Sequence, residues 1–432
     1  MANLHSPAVD SAISASTEVR ASNFKLIAAT ALGNGLEMFD FTIYSFFALL
    51  IGKQFFPSDT PFGSLLMAVA TFGIGFVMRP LGGVLIGNYA DRAGRKAAMT
   101  LTIMMMAVGT ALIGLAPTYK SIGVLAPILI VIGRLIQGFS AGGEIGASTT
   151  LLMESSGPSS RGFLTSWQVG SQGAAALIGA LSGFALSNLL SPVNLETWGW
   201  RVPFLFGLLI GPVGMYIRQA LDETHTDAPR PQSAFREVLS NYKRQLIIGI
   251  SLIISSTAAM YVVVFYMPTY LIRVLHLPPS TAFLAGCVSG ATLMVGAPLA
   301  GLVADRLGRR KPMVMCAMVM GAVLIYPAFW LLNHTTDIGI ALVIIACLVA
   351  CLAGSSIPMM LLLLESFPKH VRATGLSVVY SVGVSIFGGF AQFIVTWLIS
   401  TTGNQMSPAW YMVVCSLISL AGLIAAQERR TD

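Results

Sequence analysis

Five charged side chains stand in stretches that are otherwise apolar: Glu37, Asp40, Arg79, Arg134 and Glu144. Glu37 and Asp40 belong to FKLIAATALGNGLEMFDFTIYSFFALLIG, where helical spacing sets them about 60° apart on one face. A carboxylate deep in an apolar helix must face a wet cavity, pair with a cation or hold a proton. These two are therefore candidates to carry a coupling cation, most simply H⁺, with Na⁺ as the other choice; a structural ion pair or a helix cap is the alternative. Arg79, before Pro80, and Arg134, in GRLIQGFSAGGEIGAS, keep their charge at any pH and present forks that match a carboxylate. For Arg79, anion binding and structural pairing are equally open. Counting ~1.5 Å per residue from the helix ends puts Glu37 and Arg134 each ~20 Å deep, level with Arg79. Glu144, ten residues after Arg134 and turned by about −80°, faces either the same cavity or a helix contact, and joins the cation candidates.

The elements that hold these groups follow from composition. Of 432 residues, 55% are hydrophobic and 10% charged, too few polar groups to cover a soluble globule of this size. Runs long enough to cross a bilayer occur at 24–51, 62–89, 97–116, 121–153, 162–190, 202–221, 246–275, 279–304, 312–332, 338–364, 372–400 and 408–426. The expectation is an all-α polytopic membrane protein of 12 transmembrane helices in two six-helix bundles. Its parts are a polar tail (1–23) without signal-peptide features, a first bundle (24–221), a linker (222–245) with a short surface helix over 233–242, a second bundle (246–426) and a tail (427–432).

The net charge of +7 does not indicate nucleic acid, because the cations sort by side. One set of loops holds nearly all Lys and Arg; the other holds Lys53, Lys120, Arg201 and Arg273. By the positive-inside rule both termini are cytoplasmic. Trp198 and Trp200 read as an aromatic belt on the outer side. The five cysteines lie in apolar runs of the second half and behave as small hydrophobes, so neither a metal site nor any other cofactor is expected.

The two bundles are copies. GNYADRAGRK (Gly87, Asp91, Arg92, Gly94, Arg95) returns as GLVADRLGRRK (Gly301, Asp305, Arg306, Gly308, Arg309), and Glu154 with Arg161 returns as Glu365 with Arg372. The offsets are 214 residues (91 to 305) and 211 residues (154 to 365), so a six-helix unit is doubled almost without insertion. The loop charges are placed to pair with helix ends and the neighbouring turn. The mid-depth charges are not duplicated: the second half offers Tyr261, Tyr380, Ser381 and other neutral groups there. Gly138, Gly142 and Gly146 repeat every four residues after Arg134 and form a packing stripe. GFSAG also matches a hydrolase elbow, but it lies inside an apolar helix and every histidine is in a tail or loop.

Twelve spans in a 6+6 repeat with the duplicated Asp-Arg turn resemble the major facilitator superfamily. GNGLEMFDF, RPLGG, GRLIQGFSAGGEIG and WGWR narrow the resemblance to the metabolite:H⁺ symporter family, and within it to bacterial citrate and tricarballylate symporters; it covers 23–427. The resemblance implies a multi-pass protein of the bacterial inner membrane, in contact with lipid, with a central cavity that opens alternately on each side as the halves rock. It also implies that the Asp-Arg turns gate and pack rather than bind substrate. The fifth span lacks the proline typical of antiporters, which favours symport.

Together these readings describe import of a small anionic carboxylate. Arg79 and Arg134 orient it, Asn34, Gln137, Gln168 and Gln172 complete a polar cavity with Tyr261, Tyr380 and Ser381, and Glu37, Asp40 or Glu144 holds the cation. Protonation of an acid releases an arginine for the anion. One monomer contains a whole cavity. Betaine, proline, a 2-oxo acid or an aromatic acid are rival cargoes; an intramembrane hydrolase or a sensor is the reading outside transport.

Overall fold

The structure, a computed structural model, describes residues 31–93, 95–142, 160–208, 234–335 and 337–426. All regular structure among them is helical. The first half contributes α1 (Ala31–Phe46), α2 (Ala48–Phe55), α3 (Gly63–Val77), α4 (Arg79–Ala93), α5 (Arg95–Leu115), α6 (Leu125–Ala141), α7 (Arg161–Leu189) and α8 (202–208). A short helix α9 (Ala234–Asn241) precedes α10 (Lys243–Arg273), α11 (Pro279–Leu307), α12 (Arg310–His334), α13 (Ile338–Ser366), α14 (Arg372–Thr402) and α15 (Ser407–Ala425). Eight helices among the described residues are long and apolar enough to cross a membrane, nine if the bent pair α1–α2 is one span.

That pair departs from the single straight span expected over 24–51: the axis turns by 64° at Phe47. Neither proline nor glycine causes the turn. Phe47 leaves helical geometry (φ −99°, ψ 12°), yet its N–H still donates to Ile43 O at 3.0 Å, while Phe46 and Phe47 both pack on the Phe283 ring. Aromatic packing, invisible in a hydropathy pattern, sets the bend. Two helices of the second half also loosen locally into π-helix, over Met260–Tyr266 in α10 and Ser385–Gly389 in α14. Such segments occur where function bends a helix.

Lipid supplies the outer solvent, so large apolar side chains point outward: Val323, Val343, Ile247 and Ile424 are all exposed. The halves meet along two seams built on small residues. In the first, α7 lies against α11: a Cβ on Gly301 would sit 2.5 Å from Gly162 O, and one on Gly173 2.9 Å from Gly290 O. In the second, α3 meets α14 through Gly73 on Phe390 and Gly389 on Phe76.

Trp200 corrects the belt reading. It is fully buried between Phe55 and Phe204, and only Trp198 faces out. The following Arg201 donates to Gly114 O and Ala116 O at 2.9 and 2.7 Å, closing the C-terminal end of α5.

Candidate substrate and coupling site

Glycines bring the charged helices together. A Cβ on Gly138 would fall 1.6 Å from Gly75 O, one on Gly142 1.9 Å from Arg79 O, and one on Gly82 1.8 Å from Phe139 O. No side chain fits there, so α6 lies directly on the α3–α4 backbone and Arg134 comes beside Arg79. Gly109 and Gly133 make a similar crossing between α5 and α6, with a Cβ on Gly133 3.0 Å from Gly109 O. That crossing sets Thr110 next to Gln137.

The resulting cluster is nearly dry: Glu37, Asp40, Arg79 and Arg134 are 5%, 4%, 3% and 0% exposed. Arg79 Nη2 stands 3.7 Å from Glu37 Oε1. Asp40 reaches Arg134 indirectly. Thr110 Oγ1 donates to Asp40 Oδ2, Gln137 Nε2 donates to Thr110 Oγ1 at 3.0 Å, and Arg134 Nη1 donates to Gln137 Oε1 at 2.7 Å. Oδ1 of Asp40 makes no hydrogen bond and faces Gly207 of α8, whose Cβ would lie 2.8 Å away.

Aromatic rings replace water around the guanidinium groups. The Arg134 Cζ lies 3.8 Å from the Tyr44 centroid and 5.0 Å from those of Phe41 and Phe72; the Arg79 Cζ lies 4.1 Å from Phe76 and 4.8 Å from Phe41. Phe41 is thus shared by both cations. Desolvated contacts of this kind contribute about 2 kcal/mol each. They stabilise charge but satisfy no donor: among the described residues, all three nitrogens of Arg79, and Nε and Nη2 of Arg134, have no hydrogen-bond partner. Buried donors without partners are costly, and a carboxylate is the ligand that fits them.

The other expected site residues divide. Asn34 is occupied, donating to Gln168 O at 2.8 Å and Ser171 Oγ at 2.7 Å and accepting from Gln168 Nε2 at 2.9 Å, so it locks α1 to α7. Gln168 keeps its Oε1 unpaired. From the second half, Tyr261 closes the cage with its ring 5.3 Å from Phe76, and Tyr380 meets Gln172 within the field of Arg79 and Glu37. Ser381 is half-buried and is not joined to the cluster. Gly94, Glu144 and Glu154 lie outside the described residues, as do the side chains of Asp91, Arg92 and Arg95; Gly87 lies within α4. Thr110 and the four cage residues went unmarked in the sequence. The i, i+4 pair Phe72 and Phe76 and the i, i+3 pair Phe41 and Tyr44 were the available signal.

At the repeated turn, Asp305 accepts from Gly162 N at 2.7 Å and Phe163 N at 2.9 Å, capping α7 of the opposite half. Arg161 opens that helix, and Arg306 is exposed. The expected role of Arg309 is corrected. Gly308 adopts a left-handed conformation (φ 63°), which turns Arg309 to solvent and sends Arg310 inward, where its Nε lies 3.0 and 2.9 Å from the two Glu365 oxygens. Arg372 Nε donates to Leu364 O at 2.9 Å.

A polar clasp also joins the halves. Gln392 Nε2 donates to Ser45 Oγ at 2.7 Å, Ser45 Oγ donates to Phe265 O at 3.1 Å, and Ser385 Oγ donates to Phe76 O at 2.8 Å.

The sequence profile of the Major Facilitator Superfamily matches residues 30–391. The chain belongs to the major facilitator superfamily. Among superfamily relatives, the citrate-proton symporter of Klebsiella pneumoniae is 39% identical over 398 residues, 91% of this chain and 88% of that one. The proline/betaine transporter of Escherichia coli K12 is 35% identical over 425 residues, 94% and 83% of the two chains. The crystal structure of a D-xylose-proton symporter superposes with a TM-score of 0.77 at 18% identity, covering 94% of this chain and 97% of that one, which shows the superfamily fold. The relatives are transporters, and this chain is likewise a multi-pass transporter of the bacterial inner membrane rather than an enzyme.

Proposed function

We propose that the protein imports a di- or tricarboxylate, citrate or tricarballylate foremost, by proton symport through alternating access. The observation that carries this reading is the set of guanidinium nitrogens on Arg79 and Arg134 left without hydrogen bonds beside two buried acids. Two forks suit a substrate with at least two carboxylates. The unpaired Gln168 Oε1 is an acceptor for a substrate hydroxyl, which citrate has and tricarballylate lacks. Glu37 competes with the substrate for Arg79, and protonating Glu37 ends the competition. The full arrangement is twelve spans, with the 24–221 and 246–426 bundles rocking about the α7–α11 and α3–α14 seams. Both termini are cytoplasmic, and the functional unit is a monomer. On this topology the Ser45–Gln392 clasp lies toward the outside and Asp305 at the cytoplasmic face.

Uptake of a zwitterion such as betaine or proline is the second reading, supported by the relatives of that name at similar identity. A single carboxylate would engage one arginine and leave the other to its acid. Purified protein in liposomes decides. Accumulation of labelled citrate or tricarballylate under an imposed pH gradient, unchanged by a sodium gradient, is the expected result. Preference for betaine, a 2-oxo acid or an aromatic acid in the same panel would replace the cargo, and sodium-driven accumulation would replace the proton.

A further inference from the structure

The chain Arg134–Gln137–Thr110–Asp40 runs in one direction: each member donates to the next, from guanidinium to carboxylate. Its middle link has a choice. Thr110 Oγ1 also lies 2.9 Å from Met106 O, one turn back on its own helix, so a single hydroxyl proton has two acceptors. While Asp40 is ionised, the charge-assisted bond holds that proton. Once Asp40 is protonated, its own O–H needs an acceptor, and the nearest is Thr110 Oγ1. The hydroxyl proton then turns to Met106 O, and both lone pairs of Thr110 are used, one by Asp40 and one by Gln137. Arg134 no longer faces an anion at the end of its chain. Only one O–H bond forms in this step, on Asp40, and one breaks, on a hydronium ion of the loading side that is left as water.

We propose that Thr110 and Gln137 are the coupling relay that reports the protonation of Asp40 to Arg134. On this assignment Gln137 is a positioning residue rather than a substrate ligand, and Thr110 sets the stoichiometric linkage without touching cargo. The groups that surround Asp40 agree with the assignment. The charged group that acts on Asp40 is Arg134 of α6, its neighbours from α5 and α8 are the neutral Thr110 and Gly207, and Tyr44, Arg79 and Tyr261 surround Arg134 at the other end of the chain. The relay rests on the proton-symport reading above.

Thr110→Val keeps the β-branched shape and removes the hydroxyl. In proteoliposomes, exchange of internal for external labelled citrate at equal pH should stay within threefold of the parent, while accumulation driven by a pH gradient falls at least tenfold. Citrate affinity, measured calorimetrically, should vary at least tenfold between pH 6 and 8 in the parent and by less than half of that in Thr110→Val, where only the Glu37–Arg79 competition is left; Thr110→Ser should restore both properties. Equal loss of exchange and accumulation, or a parent-like pH profile in Thr110→Val, would overturn the relay alone. Failure of the parent protein to accumulate any carboxylate would overturn the symport reading on which it depends.

Discussion

Arg79 Nη2 and Glu37 Oε1 are 3.7 Å apart, close enough to attract and too far to hydrogen-bond, and among the described residues no other acceptor reaches the guanidinium. A tight buried bridge would hold both groups permanently, since breaking such a pair costs about 3–5 kcal/mol. This loose one leaves the arginine charged, positioned by the Phe76 and Phe41 faces, and ready to exchange one carboxylate for another.

Arg79→Lys and Arg134→Lys keep the charge and lose the fork. Each removes charge-assisted bonds of about 1.5–3 kcal/mol, so citrate affinity should fall roughly tenfold to a hundredfold in a calorimetric titration. A neutral analogue should be affected much less. Equal, mild effects on both ligands would count against the fork.

Gly138→Ala tests the crossing that makes the site. The added methyl would meet Gly75 O at 1.6 Å, where backbone has no rotamer to change. The helices must separate, with a loss of about 1–3 kcal/mol or more, read as a lower unfolding temperature in detergent, together with loss of uptake. A variant of parental stability and activity would show that the crossing is not needed.

Gly207→Ala should act through Asp40. The methyl would stand 2.8 Å from Oδ1 and push the carboxyl off Thr110. Proton-driven accumulation is expected to fall at least fivefold. Because the effect shares a target with Asp40→Asn, the double variant should be no worse than Asp40→Asn; additive losses would place the effect elsewhere.

Gln392→Ala opens the clasp on Ser45. Loss of one net hydrogen bond of about 1 kcal/mol should shift the balance between clasped and unclasped forms about fivefold. Spin-label distances between α2 and the far end of α14 would lengthen in the population that has opened. An unchanged distance distribution would mean that the clasp does not set this equilibrium.

The gathering of Glu37, Asp40, Arg79 and Arg134 was legible from residue counting, because a helix rises by a fixed amount and burial forces charges to find one another. The duplicated turns marked Asp305 as a group to pair with a helix end, although not that the helix belongs to the opposite half. Thr110 was not legible: a threonine in an apolar helix normally bonds its own backbone, and Thr110 does that as well. The bend at Phe47 and the choice of Arg310 over Arg309 escaped for a related reason. Each depends on a local backbone departure, the non-helical Phe47 and the left-handed Gly308, that no hydropathy or charge pattern encodes. Gly138 and Gly142 announced close packing, yet the partner helix became known only with the fold.

Among the described residues the charges of the central cluster, Glu37, Asp40, Arg79 and Arg134, all belong to the first half, while the facing helices α10 and α14 present tyrosines, serines and glutamine. A membrane potential does work on charge, about 2.3 kcal/mol for each elementary charge moved through 100 mV. A half without fixed charge in the field can swing with no electrical term in its energy. The voltage then acts on the arginines, the acids and whatever they hold, so on the symport proposed above the current per transport cycle counts protons against substrate carboxylates.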